Sequence, residues 1–139
     1  MNVMVVGERR ASVAAGLSGD GISLVEPPEA PASPDGEQVA RIAAALRSYE
    51  SALADRGVDR LVIAAASDEA LAAVLVATKR RVPVASLNGP EPAPAADPRG
   101  GLNAILIARL ADATLADDGE AIASWLRTTQ EAAPTPTGH

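Results

Sequence analysis

The sequence contains no cysteine, and its only histidine, His139, is the last residue. Without cysteine there can be no disulfide bond, no thiolate nucleophile and no cysteine-ligated zinc. A histidine at a chain end is more typical of a frayed terminus or a tag than of a catalytic base. We therefore expect no metal site and no covalent cross-link in the core.

Aromatic residues are also scarce, since the chain has one Trp, one Tyr and no Phe. The core must then be built from Ala, Val, Leu and Ile, and few side chains are available to stack on a base or a sugar ring. The 12 Lys and Arg residues are outnumbered by 18 acidic residues, which gives a net charge of −6. Because the basic residues are scattered as well, nucleic acid is not an expected partner.

Long apolar runs are missing too. Residues 1–6 are apolar for the most part, but this run is too short for the core of a signal peptide, and Gly7 and three charged residues follow it. Later runs are too short or too charged to span a bilayer. We expect a cytoplasmic protein with no membrane partner, and a length of 139 residues corresponds to one domain.

The sequence does contain short apolar runs that alternate with amphipathic segments. Most of these runs are apolar on both faces, as in parallel strands covered by helices. They are residues 3–6, 22–25, 60–65, 82–87 and, more weakly, 113–115. The pattern predicts an α/β fold with a single Rossmann-like, doubly wound, mostly parallel sheet flanked by helices. We assign this domain to residues 1–129 and expect residues 130–139 to be a disordered tail.

Capping residues predict where helices begin and end. The segment 38–56 carries apolar residues at helical spacing, and Gly57 follows it, as is common at a helix end. Ser67 is the expected N-cap of the next helix, where Asp68 and Glu69 suit the positive end of the helix dipole.

Two proline-rich connectors, residues 26–34 and 88–101, follow the second and fourth predicted strands. An open parallel sheet binds ligands beyond the carboxyl ends of its strands, so both connectors are expected beside such a crevice.

The segment after the second connector, Leu102 to Leu110, is apolar nearly all round. Ile107 lies off the main apolar stripe, which is formed by Leu102, Ile105, Leu106 and Leu110. A helix with two apolar sides is either enclosed in a core or in contact with another chain. We expect an interface, with a second copy of this chain or with a protein partner.

Three segments resemble motifs of one enzyme family. Residues 109–116 (RLADATLA) are similar to H-L-A-D-x-x-F-A-P-T, residues 81–85 (RVPVA) to I-P-V-A-H, and residues 7–11 (GERRA) to G-T-R-P-E. These motifs belong to the N-terminal domain of the non-hydrolysing UDP-N-acetylglucosamine 2-epimerases, which have a glycosyltransferase-B-like fold of two Rossmann domains. The resemblance is clearest from residue 57 to about residue 127. It implies a degenerate N-terminal domain without the second domain.

The family's proton-transfer groups are absent from the matching positions. The aspartate of its G-D-T-T motif falls on Ala66, the glutamate of E-A-G-L-R on Asn88, and the paired glutamates of E-E-x-N-R on Gly100 and Gly101, while Asn103 is retained. Moving a proton at a sugar carbon requires positioned groups of suitable pKa. The resemblance therefore implies no catalytic residue, and we expect no cofactor.

The resemblance also implies weak contact with a nucleotide sugar in the crevice. Backbone N–H groups near Gly7 and the guanidinium groups of Arg9 and Arg10 are suited to a phosphate, although an ordinary turn with two solvated arginines explains the same residues. The candidate ligand-binding residues are Gly7, Arg9, Arg10, Ser67, Asn88 and Asn103. In the family most of the UDP is held by the second domain, so weak binding of a UDP-sugar is expected.

Three functions are compatible with these observations. The first is a non-catalytic epimerase-like half domain that binds a protein partner or itself. The second is a subunit of a split nucleotide-sugar 2-epimerase whose second Rossmann domain is encoded separately. The third is a generic Rossmann-like regulatory module that binds a small ligand.

Overall fold

The computed structural model describes residues 1–7, 21–28, 38–64, 66–88, 98–116 and 119–132. These residues form five strands and four helices. In chain order they are β1 (Asn2–Val6), β2 (Ser23–Val25), α1 (Gln38–Asp55), β3 (Arg60–Ile63), α2 (Asp68–Lys79), β4 (Val84–Asn88), α3 (Pro98–Leu110), β5 (Ala113–Ala116) and α4 (Gly119–Ala132).

The described strands form one parallel sheet in the order β2-β1-β3-β4-β5. The predicted α/β fold with a Rossmann-like parallel sheet is thereby confirmed. From β1 the chain first adds β2 on one side, and then returns past β1 to build β3, β4 and β5 on the other. The strand order therefore reverses between β1 and β3, and an open α/β sheet binds its ligands beyond the carboxyl ends of two such strands.

Alternate side chains of each strand point to opposite faces of the sheet, and helices pack on both faces. Met4 and Leu61 are paired in register and lie in one core with α1, α2 and α3. Val3 and Val62 lie in a second core with Ile122 of α4. Most buried residues among those described are Ala, Val, Leu or Ile, as the composition requires.

α1 ends at a Schellman motif centred on Gly57, as its glycine predicts. Gly57 has a φ of +58°, and its amide donates to the carbonyl of Ala54 at 3.3 Å, while the amide of Val58 donates to the carbonyl of Leu53 at 3.1 Å. Glycine is favoured at this left-handed position because it carries no Cβ.

α2 ends in the same way without a glycine. The left-handed residue is Arg81, with a φ of +62°, and the amide of Val82 donates to the carbonyl of Ala77 at 2.8 Å. Val82 therefore closes the last turn of the helix. For this reason β4 begins at Val84, and the prediction of a strand from residue 82 is wrong at its start.

α3 begins earlier than expected, at Pro98. Residues 98–101 are helical and do not belong to a connector, and proline suits a first helical turn, whose N–H groups have no partner within the helix. Asn88 is the last residue of β4, so the connector is reduced to residues 89–97, which lie outside the described residues. α4 continues to Ala132, and the remainder of the predicted tail, residues 133–139, is likewise outside them.

Two aspartates fasten the amino ends of neighbouring strands. The carboxylate of Asp112 accepts from the amide of Val84 at 2.7 Å, and the amide of Asp112 donates to the carbonyl of Val84 at 2.8 Å. Asp59 makes the same two bonds with Asn2, at 2.7 and 2.8 Å. Asp112 is the aspartate of the RLADATLA segment, so its role in this chain is to extend the ladder between β4 and β5.

None of the described helices is both long enough and apolar enough to cross a lipid bilayer.

Candidate functional site

The candidate site is the carboxyl edge of the sheet between the ends of β1 and β3, where an open α/β sheet binds its ligands, and we call this edge the crevice. Gly7 follows β1 with a φ of +140°, a conformation that favours glycine. The amide of Ala64, just after β3, donates to the carbonyl of Val6 at 2.7 Å. Gly7 and Ala64 therefore lie side by side at the point where the strand order reverses.

Ser67 caps α2 beside this crevice, as predicted. Its backbone is extended, and its hydroxyl accepts from the amide of Ala70 at 3.1 Å. An N-cap side chain satisfies one of the amides that the first helical turn leaves unpaired. Helix capping therefore accounts for a serine at this position.

Asp68 and Asn103 link α2 to α3 next to the Ser67 cap. The Asn103 Nδ2 donates to the Asp68 Oδ1 at 2.9 Å. Asn103 is 6% exposed, and apart from the hydroxyl-bearing Tyr49 it is the only buried polar residue among those described. A buried amide without a partner costs about 1–3 kcal/mol, so this bond is needed by the fold. Through Asp68 the structure brings together Ser67 and Asn103, two of the candidate ligand residues.

Helical periodicity does not predict this pair, because the two residues are 35 positions apart. The helix dipole alone explains a negative charge at Asp68, so the sequence gives no reason to expect a distant partner for it. The one signal in the sequence was Asn103 itself, a polar residue within a run that is otherwise apolar.

Tyr49 of α1 is another polar group near the start of α2. It is 4% exposed, and burial, followed by the negative charge of Glu69, raises the pKa of Tyr49 to about 12. At neutral pH the hydroxyl is therefore protonated. It can donate a hydrogen bond but cannot serve as a base.

Arg41 lies in the first turns of α1 and is a polar residue that helical periodicity does not single out. Its Nε is buried and has no hydrogen-bond partner among the described residues. α1 runs from the carboxyl end of β2 towards the amino end of β3, so this end of the helix lies at the carboxyl edge of the sheet. A guanidinium group placed there is suited to an oxyanion.

The remaining polar candidate residues are Arg9, Arg10 and Asn88. Arg9 and Arg10 lie outside the described residues. Asn88 ends β4 and is paired in register with Ala116, which places its backbone at the carboxyl edge. Within the described part of the chain, no three His, Cys, Asp or Glu side chains gather as a metal site would require.

The positions of the family's acids also lie on this edge or on α3. Ala66 packs against the main core, and Gly100 and Gly101 belong to the first turns of α3. None of the three carries a titratable side chain.

α3 presents an apolar surface to solvent. Leu102, Ile105 and Leu106 are 55%, 60% and 38% exposed, whereas Ile107 is 2% exposed. We call Leu102, Ile105 and Leu106 the α3 surface. The residue that lay off the predicted stripe is thus the one that faces the core, and most of the stripe faces outwards.

Comparison with known proteins gives similarity in structure only. No family model matches the chain, and no curated protein matches its sequence. Among solved structures, the UDP-GlcNAc 2-epimerase of Neisseria meningitidis bound to UDP-GlcNAc superposes with a TM-score of 0.66 at 15% identity, covering 93% of this chain and 43% of that one. The UDP-GlcNAc 2-epimerase of Methanocaldococcus jannaschii in complex with UDP-GlcNAc and UDP gives 0.66 at 16% identity, covering 92% and 43%. That of Rickettsia bellii gives 0.63 at 11% identity, covering 92% and 42%.

These matches confirm the resemblance at the level of the fold. The chain spans less than half the length of the epimerases that it matches. At such low identity the likeness concerns the fold, and function has to be argued from the residues.

Proposed function

We propose that this chain is a non-catalytic UDP-N-acetylglucosamine 2-epimerase-like half domain that acts as a protein-interaction module. The observation that supports this best is the α3 surface. Of the five large exposed hydrophobic residues among those described, three lie on this one helix. Exposed apolar residues that cluster in this way are typical of protein-binding surfaces.

The polar residues of the crevice support the absence of catalysis. Epimerisation requires a group that removes a proton and a group that returns it. Ala66 offers neither, and the Asp68 carboxylate is held by a hydrogen bond from buried Asn103. With a pKa of about 12, Tyr49 is not a base at neutral pH.

The partner that we propose for the α3 surface is a second copy of this chain. Its three side chains are uncharged and spaced i, i+3 and i+4, so they form one stripe along the helix. A two-fold axis would set this stripe against itself, because a two-fold contact uses the same patch on both copies. Burial of each half-exposed side chain then contributes on the order of 1 kcal/mol.

Analytical ultracentrifugation of Ile105→Glu and Val39→Glu tests this function. Both changes place one carboxylate on an exposed apolar position of a helix, since Val39 is 73% exposed on α1. We expect the unmodified chain and Val39→Glu to dimerise between micromolar and millimolar concentration, and Ile105→Glu to remain monomeric. A monomeric unmodified chain over the whole range, or equal weakening by both changes, would contradict the proposal.

Weak nucleotide-sugar binding is part of the same proposal. Ser67 and Asn103 are engaged in bonds that hold the fold, which leaves few polar groups to hold a ligand. Calorimetry of the isolated chain with UDP-GlcNAc should give a dissociation constant weaker than about 10 micromolar. Tighter binding would favour the split-enzyme alternative instead, as would co-purification of a separately encoded Rossmann domain that restores epimerisation.

A further inference from the structure

A second surface, on the opposite side of α2 from α3, has a different chemistry. α1 and α2 leave an open groove of about 390 Å³ between them. Its floor is apolar and is formed by Leu46, Leu75 and Val76. Val76 is buried, whereas Leu46 and Leu75 pack against the main core and remain partly exposed. The floor therefore offers apolar side-chain surface that the core of this chain does not cover.

The rim of this α1–α2 groove is positively charged. Arg47 stands on α1, Lys79 and Arg80 stand at the end of α2, and Glu50 is the acidic residue among them. All four are exposed. Three cations and one anion give a local charge of +2 on a chain whose net charge is −6. An acidic partner is therefore attracted to this groove more than to the remainder of the surface.

Helix stability explains only part of this rim. Lys79 and Arg80 suit the negative end of the α2 dipole. Arg47 lies in the middle of α1, where no helix end is near, and its side chain lines the groove. Cations therefore lie on both sides of the groove, with Glu50 as the one anion among them, and the net charge of +2 at the rim favours an anionic partner.

We propose that the α1–α2 groove binds an acidic amphipathic helix of a partner protein. A groove between two packed helices accepts the apolar face of a third helix, whose residues at i and i+4 enter the floor. Glutamates on the two flanks of the partner helix would pair with Arg47 on α1 and with Lys79 and Arg80 at the end of α2. This inference does not depend on self-association through the α3 surface, because the two surfaces have no residue in common.

A synthetic peptide provides the probe. It is a fluorescently labelled amphipathic helix with leucines at i, i+4 and i+7 and glutamates on both flanks, and the control peptide carries glutamine in place of each glutamate. We expect the acidic peptide to bind roughly tenfold more tightly than the control peptide. Amide shifts in the NMR spectrum should be largest at Leu46, Leu75 and Lys79.

Charge variants of the chain identify the surface. Arg47→Glu and Lys79→Glu should each weaken binding of the acidic peptide by roughly tenfold. Arg127→Glu makes the same change of net charge at an exposed position of α4, on the other face of the sheet, and should leave the affinity unchanged. Glu50→Gln should tighten binding roughly twofold to threefold, since it removes the anion of the rim, and a gain of this kind cannot come from misfolding.

The proposal is overturned by any of four results. These are equal affinity for the two peptides, equal weakening by Arg127→Glu, peptide-induced shifts centred on α3, and binding to phosphatidylserine vesicles without binding to the acidic peptide. Ile105→Glu, which tests the α3 surface, should bind the acidic peptide as the unmodified chain does, so the two proposals fail separately.

Discussion

At the scale of single residues, two of the polar candidate residues beside the crevice, Ser67 and Asn103, are engaged in bonds that hold the fold. The Ser67 hydroxyl caps α2, and the Asn103 amide binds Asp68 across to the same helix. Such bonds fix the side chains in place, and buried polar pairs are costly to break. Structural roles therefore account for Ser67 and Asn103, two of the six candidate ligand residues.

Tyr49 gives a residue-scale prediction about pH. Its pKa is about 12 in the folded chain against 10.0 for an ordinary tyrosine, so the unfolded chain loses this proton first as pH rises. The contribution of Tyr49 to the free energy of unfolding is fully present below pH 10. Between the two pKa values the free energy of unfolding should fall by roughly 1 kcal/mol per pH unit.

The measurement is direct because Tyr49 is the only tyrosine. A near-ultraviolet titration of tyrosinate should have its midpoint near 12 in the folded chain and near 10.0 in denaturant. Tyr49→Phe is the control, and it should lose this part of the pH dependence of unfolding. A folded midpoint equal to the denatured one would contradict the burial of the hydroxyl.

Arg81 gives a second residue-scale prediction. Its left-handed backbone, at a φ of +62°, costs a non-glycine residue roughly 1–2 kcal/mol. Arg81→Gly removes that cost and adds roughly 0.4–1 kcal/mol of chain entropy to the unfolded state. The free energy of unfolding should therefore rise by on the order of 0.5 kcal/mol, as measured by urea denaturation.

Arg80→Gly is the matched control for this change. Arg80 has a φ of −90°, a conformation open to any residue, so glycine there gains nothing and should lower stability. If both glycine variants lower it equally, the left-handed strain at Arg81 is not relieved by glycine.

At the scale of secondary-structure elements, Asp112 joins the amino ends of β4 and β5. Its carboxylate and amide bind Val84 at 2.7 and 2.8 Å, which adds a rung between β4 and β5 before the regular ladder begins. A rung of this kind helps to hold β5 at the edge of the sheet, where β4 is its one strand neighbour among the described residues.

Replacement of Asp112 should weaken that edge. Asp112→Ala leaves the partly buried amide of Val84 without its acceptor, and the free energy of unfolding should fall by about 1–3 kcal/mol. Asp112→Asn keeps an acceptor oxygen and should recover most of the loss. Chemical denaturation of the two variants measures the difference, and equal losses would show that charge, and not the hydrogen bond, is what matters.

At the scale of the whole molecule, the sheet has the reversal of strand order at which α/β proteins bind ligands, and Ala66, Gly100 and Gly101 place no titratable side chain at the positions that match the acids of the epimerase motifs. The proposed function then predicts that the isolated chain does not exchange a sugar hydrogen with solvent. Incubation with UDP-GlcNAc in deuterium oxide, followed by mass spectrometry, should show no deuterium in the sugar. Incorporation above the level of a buffer control would end the proposal of a non-catalytic domain.

Much of the fold was determined by the sequence itself. Short runs of Val, Leu, Ile and Ala, apolar on both faces, can be satisfied only by strands covered on both sides, and the helices between them require a parallel sheet. Gly57 and Ser67 act through bonds to residues five or fewer positions away. Local chemistry of this kind is readable from the chain alone.

Tertiary structure decided the rest. Both sides of α3 are apolar, so the hydrophobic pattern does not predict which side is buried. Packing against α2 buries Ile107 and leaves Ile105 exposed. The bond between Asp68 and Asn103 joins residues 35 positions apart, and the α1–α2 groove exists only where two helices meet. Such features depend on which elements become neighbours in space, and periodicity within one element carries no information about that.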